Sequence, residues 1–141
     1  MYLNKTDISN LEKYRRINLV NSIIGIKPAI LVGTKSFENG TNLAIFSSIV
    51  HISSNPPLLA FFLRSNKKIR RDTFENITEN YVYTFNHINS SIINSAHRTS
   101  IKFEKTISEF DACKFTEDYI YGFEAPFVKE SNVKIGMRLR E

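Results

Sequence analysis

The chain has 141 residues, enough for one domain with one hydrophobic core, and we expect residues 1–141 to form it. It is 42% hydrophobic and 23% charged, no apolar run reaches the roughly 20 residues of a membrane-spanning helix, and the N-terminus lacks the apolar core of a secretion signal. Together with the single cysteine, which excludes an internal disulfide, these features predict a cytoplasmic protein without a membrane partner.

Basic residues outnumber acidic ones, and the net charge is +5, but one run, residues 67–71, concentrates the basic side chains. The chain lacks the zinc-finger spacing, the long basic stripe and the aromatic signature that nucleic-acid readers usually add. A solvated loop and a site for a small phosphorylated ligand are therefore the two favoured interpretations, and we expect no nucleic-acid partner. A nucleic-acid-binding barrel with stacking aromatic side chains is the third alternative.

The first predicted element is a helix over residues 7–25, because Asp7 can cap it and an apolar stripe of helical spacing follows. A buried strand is predicted over residues 28–34. The pair Asn39-Gly40 that comes next is a strong signal for a hairpin.

The chain returns from this hairpin in a strand predicted over residues 42–52, whose apolar run is interrupted by Ser47 and Ser48. Residues 53–57 contain two prolines and predict a turn, because proline has no N–H to give to a strand ladder. Residues 58–63 predict a third strand, apolar on both faces and therefore central in its sheet.

Short helices and strands share the second half of the chain. Asp72 or Thr73 is predicted to cap a helix. The later predicted elements are a strand over residues 81–86, a helix over 90–99, a helical turn over 108–112 and two extended pieces from residue 127 onwards. Because strands with hairpin-like connections dominate, the sequence predicts a mainly β fold, an antiparallel barrel or sandwich with short helices.

Three pieces of this pattern carry groups that suit a phosphorylated ligand. Asn42 opens a strand with an amide that can donate and accept, and the hydroxyls of Ser47 and Ser48 should point to opposite faces of it. The segment Arg70-Arg71-Asp72-Thr73 leads into a helix whose first N–H groups suit a phosphate, and Arg71 can add two parallel hydrogen bonds. Each piece alone also has an ordinary explanation as a turn, a strand residue or a helix cap.

No side chain stands out as a catalytic acid, base or nucleophile, and Cys113 has no base near it in the sequence. The three histidines are better explained as structural side chains: His51, His87 and His97. Three carboxylates lack the spacing of metal ligands: Glu109, Asp111 and Glu117. We therefore predict neither catalytic residues nor a metal site.

Several segments, in order, resemble the flavin reductase-like, FMN-binding split-barrel family, particularly its flavoredoxin-like branch. They are Pro28-Ala-Ile-Leu-Val-Gly-Thr, Asn39-Gly-Thr-Asn-Leu-Ala-Ile-Phe-Ser-Ser, Ser54-Asn-Pro-Pro-Leu, Arg71-Asp-Thr-Phe-Glu-Asn-Ile, Ser108-Glu-Phe and Ala125-Pro-Phe-Val-Lys-Glu-Ser. The likeness covers nearly the whole chain from Tyr14 onward. It implies a six-stranded Greek-key barrel, a homodimer, and FMN bound near the subunit interface.

The resemblance also implies residue roles. The isoalloxazine ring would be lined by Asn42, Leu43, Ala44 and Ile45, and the ribityl phosphate would be held by Ser47, Ser48, Arg64, Arg71 and Thr73. The implied activity is an oxidoreductase that passes electrons from NAD(P)H to flavin, or through flavin to an acceptor; a non-catalytic electron carrier or sensor is the alternative. FMN itself performs such chemistry, so no protein acid or base is required.

Departures from the family's pattern bear on the site and on the end of the barrel. Ile26-Lys27-Pro28 replaces a common Pro-Arg-Pro, and Ile45 replaces a proline, which frees one backbone N–H near the ring. Residues 133–140 begin a strand that leads to further barrel strands in the family. The resemblance therefore predicts a barrel shortened at its C-terminus, lacking its last strands or completed differently, and an open edge that favours a dimer.

Overall fold

A computed structural model of the chain describes residues 2–38, 40–63, 71–104 and 106–140. Its strands are β1 Ile30–Ser36, β2 Gly40–Phe46, β3 Ile49–Ser54, β4 Pro57–Phe61, β5 Val82–His87, β6 Glu117–Asp118, β7 Phe127–Val128 and β8 Lys134–Arg138. Its α-helices are α1 Lys5–Asn10, α2 Lys13–Ser22, α3 Asp72–Asn80, α4 Ile93–Arg98, which follows a 3-10 turn at Ser90–Ile92, and α5 Glu109–Ala112. The expected mainly β class with short helices is confirmed.

The strands form three antiparallel sheets within the described residues. The largest has the order β2-β1-β5-β8, and the others pair β3 with β4 and β6 with β7. The hairpin between β1 and β2 is confirmed, with Ser36 opposite Gly40 and Gly40 at a φ of +81° that glycine tolerates well. Asn39 of the predicted turn lies outside the described residues.

The predicted return strand is wrong as a single element, because the chain changes sheets at the two serines. β2 ends at Phe46 and β3 begins at Ile49 in another sheet. The hydroxyl of Ser48 donates to the carbonyl oxygen of Phe62 at 3.0 Å and accepts from its N–H at 3.2 Å. The polar interruption therefore marks a junction, where a side chain replaces the missing ladder bonds.

The expectation that the third strand is central is also wrong, since β4 pairs only with β3 among the described strands. Instead, β4 packs an aromatic side chain against the face of the large sheet. The ring of Phe61 packs on those of Phe46 and Phe85, with ring centres 5.2 and 5.4 Å apart, and on Tyr83 at 5.7 Å. Each such pair contributes about 0.5–1.5 kcal/mol beyond its buried area, so the hairpin is held against the large sheet.

The core lies on both faces of β1, because side chains alternate along a strand. One buried cluster contains Leu31, Leu43, Ile92, Ala96, Phe110, Cys113, Phe115 and Val128. The other contains Ile30, Val32, Ile77, Tyr83 and Phe85. β1 thus separates two cores. One lies between the sheet and the elements α4, α5 and β7, and the other lies between the sheet, α3 and the β3–β4 hairpin.

A buried polar network holds the loop before β7 on the sheet. Asn86 donates to the Thr84 hydroxyl at 2.9 Å and accepts from the N–H of Val128 at 2.9 Å, and Thr84 donates to the carbonyl oxygen of Pro126 at 2.6 Å. Gly33 allows this close approach, because a Cβ there would lie 2.3 Å from the Pro126 oxygen. The loop backbone is therefore fixed by residues of β1 and β5.

The N-terminal region contains two helices where one was predicted. Asn4, rather than Asp7, is the first cap, and it forms a capping box with Asp7. The chain turns extended at Leu11, and the Glu12 side chain then caps α2. None of the residues in these helices is buried, so the apolar stripe of α2 faces outward. Within the described residues, no helix is long and apolar enough to cross a membrane.

Candidate flavin site

A cavity of about 540 Å³ opens between the end of β2, the start of α3 and the segment after α4. Its volume lies within the usual range for a cofactor-sized ligand. It is lined by Asn42, Ala44, Ile45, Phe46, Ser47, Ser48, Phe62, Leu63, Arg71, Asp72, Thr73, Thr99, Ser100, Ile101, Lys102, Phe103 and Glu109. The strand end and the helix start that the sequence singled out therefore face one space.

Most of the predicted site residues line this cavity: Asn42, Ala44, Ile45, Ser47, Ser48, Arg71 and Thr73. Leu43 does not, because its side chain is fully buried in the cluster around Phe110. Strand alternation turns the side chain of Leu43 away from the side that Asn42 and Ala44 face, so a role of Leu43 beside the ring stays a prediction and would fall to its backbone. Arg64 and Arg70 lie outside the described residues.

The amide of Asn42 joins β2 to α3. Its nitrogen donates to the hydroxyl oxygens of Thr34 at 3.3 Å and Thr73 at 3.1 Å, and Asn76 of α3 also donates to Thr34 at 3.0 Å. These side chains are buried, so the bonds form in a low-dielectric setting where they are well defined. The two amide hydrogens of Asn42 are thus used inside the protein, which leaves its oxygen to contact a ligand.

The start of α3 suits an anion. Arg71, rather than Asp72 or Thr73, is the N-cap residue, and its side chain makes no cap hydrogen bond. The first N–H groups of a helix lack intrahelical partners and carry a partial positive charge. In addition, Nε of Arg71 is buried without a hydrogen-bond partner among the described residues. A buried guanidinium nitrogen left in this way is a group that a bound anion would satisfy.

The two serines differ in their freedom to bind. Ser48 is engaged with the backbone of Phe62, as described above, whereas Ser47 is exposed beside the cavity. The expectation that the two point in different directions is consistent with this difference. Ser47 is therefore the serine whose hydroxyl is better placed to reach a ligand.

Glu109, which the sequence analysis considered only as a metal ligand and set aside, lies on the cavity wall. Its Oε2 accepts from the backbone N–H of Leu43 at 3.1 Å. Burial raises the pKa of this carboxyl; the bond from Leu43 lowers it, and the charge of Asp72 raises it. The segment 99–103 was also missed, because only the tertiary fold brings it opposite β2.

The lining combines an apolar part with a polar end, as an amphipathic ligand with a flat ring and a phosphate requires. Ala44, Ile45, Phe46 and Phe103 supply apolar surface, and Arg71 with the start of α3 supplies the anion site. No cluster of His, Cys, Asp and Glu suited to a metal occurs among the described residues. The histidines do not line the cavity. The described residues therefore fit a phosphate-bearing flavin.

Comparison with known proteins agrees with this chemistry. Residues 26–141 match the family described as flavin reductase like domain. The fold also matches the solved structure of a protein from Shewanella frigidimarina NCIMB 400 that is assigned as a flavin reductase with a split barrel domain. The TM-score is 0.94 and the sequence identity is 43%, and the match covers 100% of this chain and 69% of that chain.

Two further matches have lower sequence identity. Nitrilotriacetate monooxygenase component B from Bacillus cereus matches with a TM-score of 0.86 and 21% identity over 100% of this chain and 68% of that chain, which shows a common fold. Uncharacterized protein YwrF from Bacillus subtilis (strain 168) is 25% identical over 99% of this chain and 67% of its own length. The chain belongs to the flavin reductase-like family of split-barrel domains.

Proposed function

We propose that this chain binds FMN in the cavity between β2 and α3 and acts as an NAD(P)H-dependent flavin oxidoreductase. The single observation that carries the choice of a phosphate-bearing flavin is the start of α3, where the buried Nε of Arg71 has no partner among the described residues. A phosphate group supplies oxygens for this nitrogen, at a helix start whose partial positive charge favours an anion.

The phosphate end is proposed to consist of Ser47, Ser48, Arg71 and Thr73. Arg71 contributes charge, the backbone at Thr73 contributes N–H groups, and Ser47 contributes an exposed hydroxyl. Ser48 acts through its two bonds to Phe62, which fix the junction after β2. Arg64 remains a proposed phosphate ligand outside the described residues.

The ring is proposed to lie along the last residues of β2. Ala44 and Ile45 line the cavity there with small and branched apolar side chains, and Asn42 offers its amide oxygen. Leu43 contributes through its position in the strand rather than through its buried side chain. These contacts would orient the ring and keep water from one side of it.

Bound flavin supplies hydride and electron transfer, so the residues of this chain need only bind, orient and tune it. NAD(P)H is the proposed electron donor, in keeping with an oxidoreductase of this family.

A homodimer is proposed as the working form. Apolar side chains on α2 are exposed, including Tyr14 at 68% and Val20 at 44%. Isolated exposed apolar residues are common, but several on one helical face indicate an interaction surface. β8 also lies at the edge of the large sheet in the described part of the chain, and a second copy would cover such an edge.

The experiment is a titration of the purified chain with FMN, FAD and riboflavin, followed by flavin fluorescence and absorbance. Tighter binding of FMN than riboflavin is expected, together with NADH or NADPH oxidation by the flavin-loaded chain. Saturable flavin binding without nicotinamide oxidation would favour the carrier alternative. Equal affinity for FMN and riboflavin would contradict the phosphate assignment.

A further inference from the structure

The side chain of Glu109 accepts a hydrogen bond at the outer edge of β2, where no strand pairs among the described residues. In the described residues β2 lies at the edge of its sheet, and the N–H of Leu43 points to Glu109. Because N–H groups of a strand alternate in direction, the N–H of Ile45 points to the same side. The carboxylate of Glu109 therefore lies along the same edge of β2 as Ile45, which is proposed to line the ring.

Several of the charged side chains around Glu109 are acidic and therefore do not neutralise its negative charge. Asp72 at the start of α3 is close enough to raise the pKa of Glu109. Glu104 lines a smaller pocket that Glu109 also lines, so it adds a further carboxylate on that side of Glu109. On β6, Glu117 accepts from the hydroxyl of Thr41, which also contacts Ser108 next to Glu109.

Two positive groups face the same cavity, Arg71 and Lys102. Arg71 stands at the end where the phosphate is proposed to bind, so a phosphate dianion would use its charge. Asp111, on α5 with Glu109, is exposed and does not line the cavity. Two carboxylates line the cavity: Asp72 stands at the start of α3, at the phosphate end, and Glu109 is bonded to β2, on the side of the proposed ring.

Building on the proposed function, we propose that Glu109 takes up a proton when the bound flavin is reduced. Two electrons and one proton delivered to the ring leave it with one more negative charge in neutral to alkaline solution. Glu109 then binds a second proton from solvent, so that two electrons are accompanied by two protons and the cavity's charge is unchanged. The electron source in the test is an electrode.

This assignment makes Glu109 a positioning and charge-tuning residue, since its carboxylate holds the β2 edge in both states. A neutral carboxyl keeps a carbonyl oxygen for the N–H of Leu43, so the strand need not move on protonation. Glu109→Gln preserves that oxygen and the shape of the side chain while removing the titration. Asp111→Asn removes a carboxylate from the same helix outside the cavity.

The test is the midpoint potential of bound FMN across pH in the wild-type chain and in these two variants, by spectroelectrochemistry. The wild-type potential should fall with pH more steeply than that of Glu109→Gln over the interval in which Glu109 titrates. Above that interval Glu109→Gln should have the higher potential, and at low pH the two should converge. Asp111→Asn should follow the wild-type curve.

Coincident curves for the wild type and Glu109→Gln would overturn the proposal. If Glu109→Gln does not retain FMN, protons taken up by the flavin-loaded wild type on coulometric reduction are counted with a pH indicator. If the bound flavin takes up the same number of protons as free FMN at every pH, the proposal is likewise overturned. A wild-type chain that binds no flavin would instead overturn the proposed function, so the two failures are distinct.

Discussion

The side-chain amide of Asn42 donates to the hydroxyl of Thr73 at 3.1 Å and so joins β2 to the first turn of α3. The proposed ring end and the proposed phosphate end of the cavity are thereby held at a fixed separation. Neither side chain is exposed beyond 9%. The bond connects residues 31 positions apart in the chain, so it depends on the fold being formed.

Removal of the Thr73 hydroxyl should affect both stability and flavin affinity. Thr73→Val keeps the size of the side chain but leaves an amide hydrogen of Asn42 buried without its acceptor, which costs about 1–3 kcal/mol. We expect urea denaturation to show this loss and FMN affinity to fall by about tenfold, the equivalent of ~1.4 kcal/mol. Thr73→Ser keeps the hydroxyl and is the control. Equal FMN affinity of the two variants would contradict a role for this bond in the site.

The close contact at Gly33 should make this position intolerant of any side chain. In Gly33→Ala the new Cβ would meet the backbone oxygen of Pro126 and the hydroxyl of Thr84, at 2.3 and 2.6 Å. We expect a loss of about 1–3 kcal/mol, because backbone must move to relieve the overlap. Thermal unfolding measures it. Gly136→Ala, whose Cβ would meet only the Phe123 ring at 3.0 Å, is the milder comparison, and it should not be the more destabilised of the two.

Glu109 should make the stability of the flavin-free chain depend on pH. Its pKa in the folded state is raised above the ordinary value of 4.5, chiefly by burial, so the folded state holds the proton more firmly than the unfolded state. The contribution of the protonated group is fully present below pH 4.5 and is lost as pH rises through the raised pKa. Relative to Glu109→Gln, the wild-type free energy of unfolding should therefore fall over this interval. Parallel pH curves from chemical denaturation would be inconsistent with the shift.

The outward stripe of α2 should control assembly if the chain dimerises through it. Val20→Glu places a charge on the apolar face at a residue that is 44% exposed, so the fold of the protomer should persist. We expect light scattering to give a monomer mass for Val20→Glu and a dimer mass for the wild type. Arg15→Glu places a carboxylate at an exposed position on the other side of α2, with a larger change in net charge, and should remain dimeric. A dimeric Val20→Glu chain would exclude this helix from the interface.

The sequence predicted the fold well wherever local signals and burial agree. The hairpin at Gly40, the strand that becomes β5 and the helix that begins at Asp72 are all present. Errors arose where a local pattern has two structural solutions. A six-residue apolar run is typical of a central strand, but here it forms the half-buried strand β4, in which the ring of Phe61 packs on the face of another sheet.

The candidate site was predictable in part for a similar reason. Asn42 and Arg71 carry donors next to turns and caps, so the sequence marks them. Glu109 and the segment 99–103 reach the cavity only through tertiary packing, which leaves no periodic signal. Leu43 was predicted from the resemblance to the family's motif, and the structure adds that strand alternation sends its side chain into the core.

The most direct test of the proposed site compares the affinities of FMN and riboflavin for the wild-type chain and for Arg71→Ala, measured by fluorescence titration. The two ligands share the ring and differ in the phosphate, so their ratio isolates the phosphate end of the cavity. We predict that the wild type prefers FMN by about tenfold or more, as expected for charge-assisted hydrogen bonds of roughly 1.5–3 kcal/mol, and that Arg71→Ala loses most of this preference while its riboflavin affinity is unchanged. Equal binding of the two ligands by the wild type, or a preference for FMN that survives in Arg71→Ala, would contradict the account.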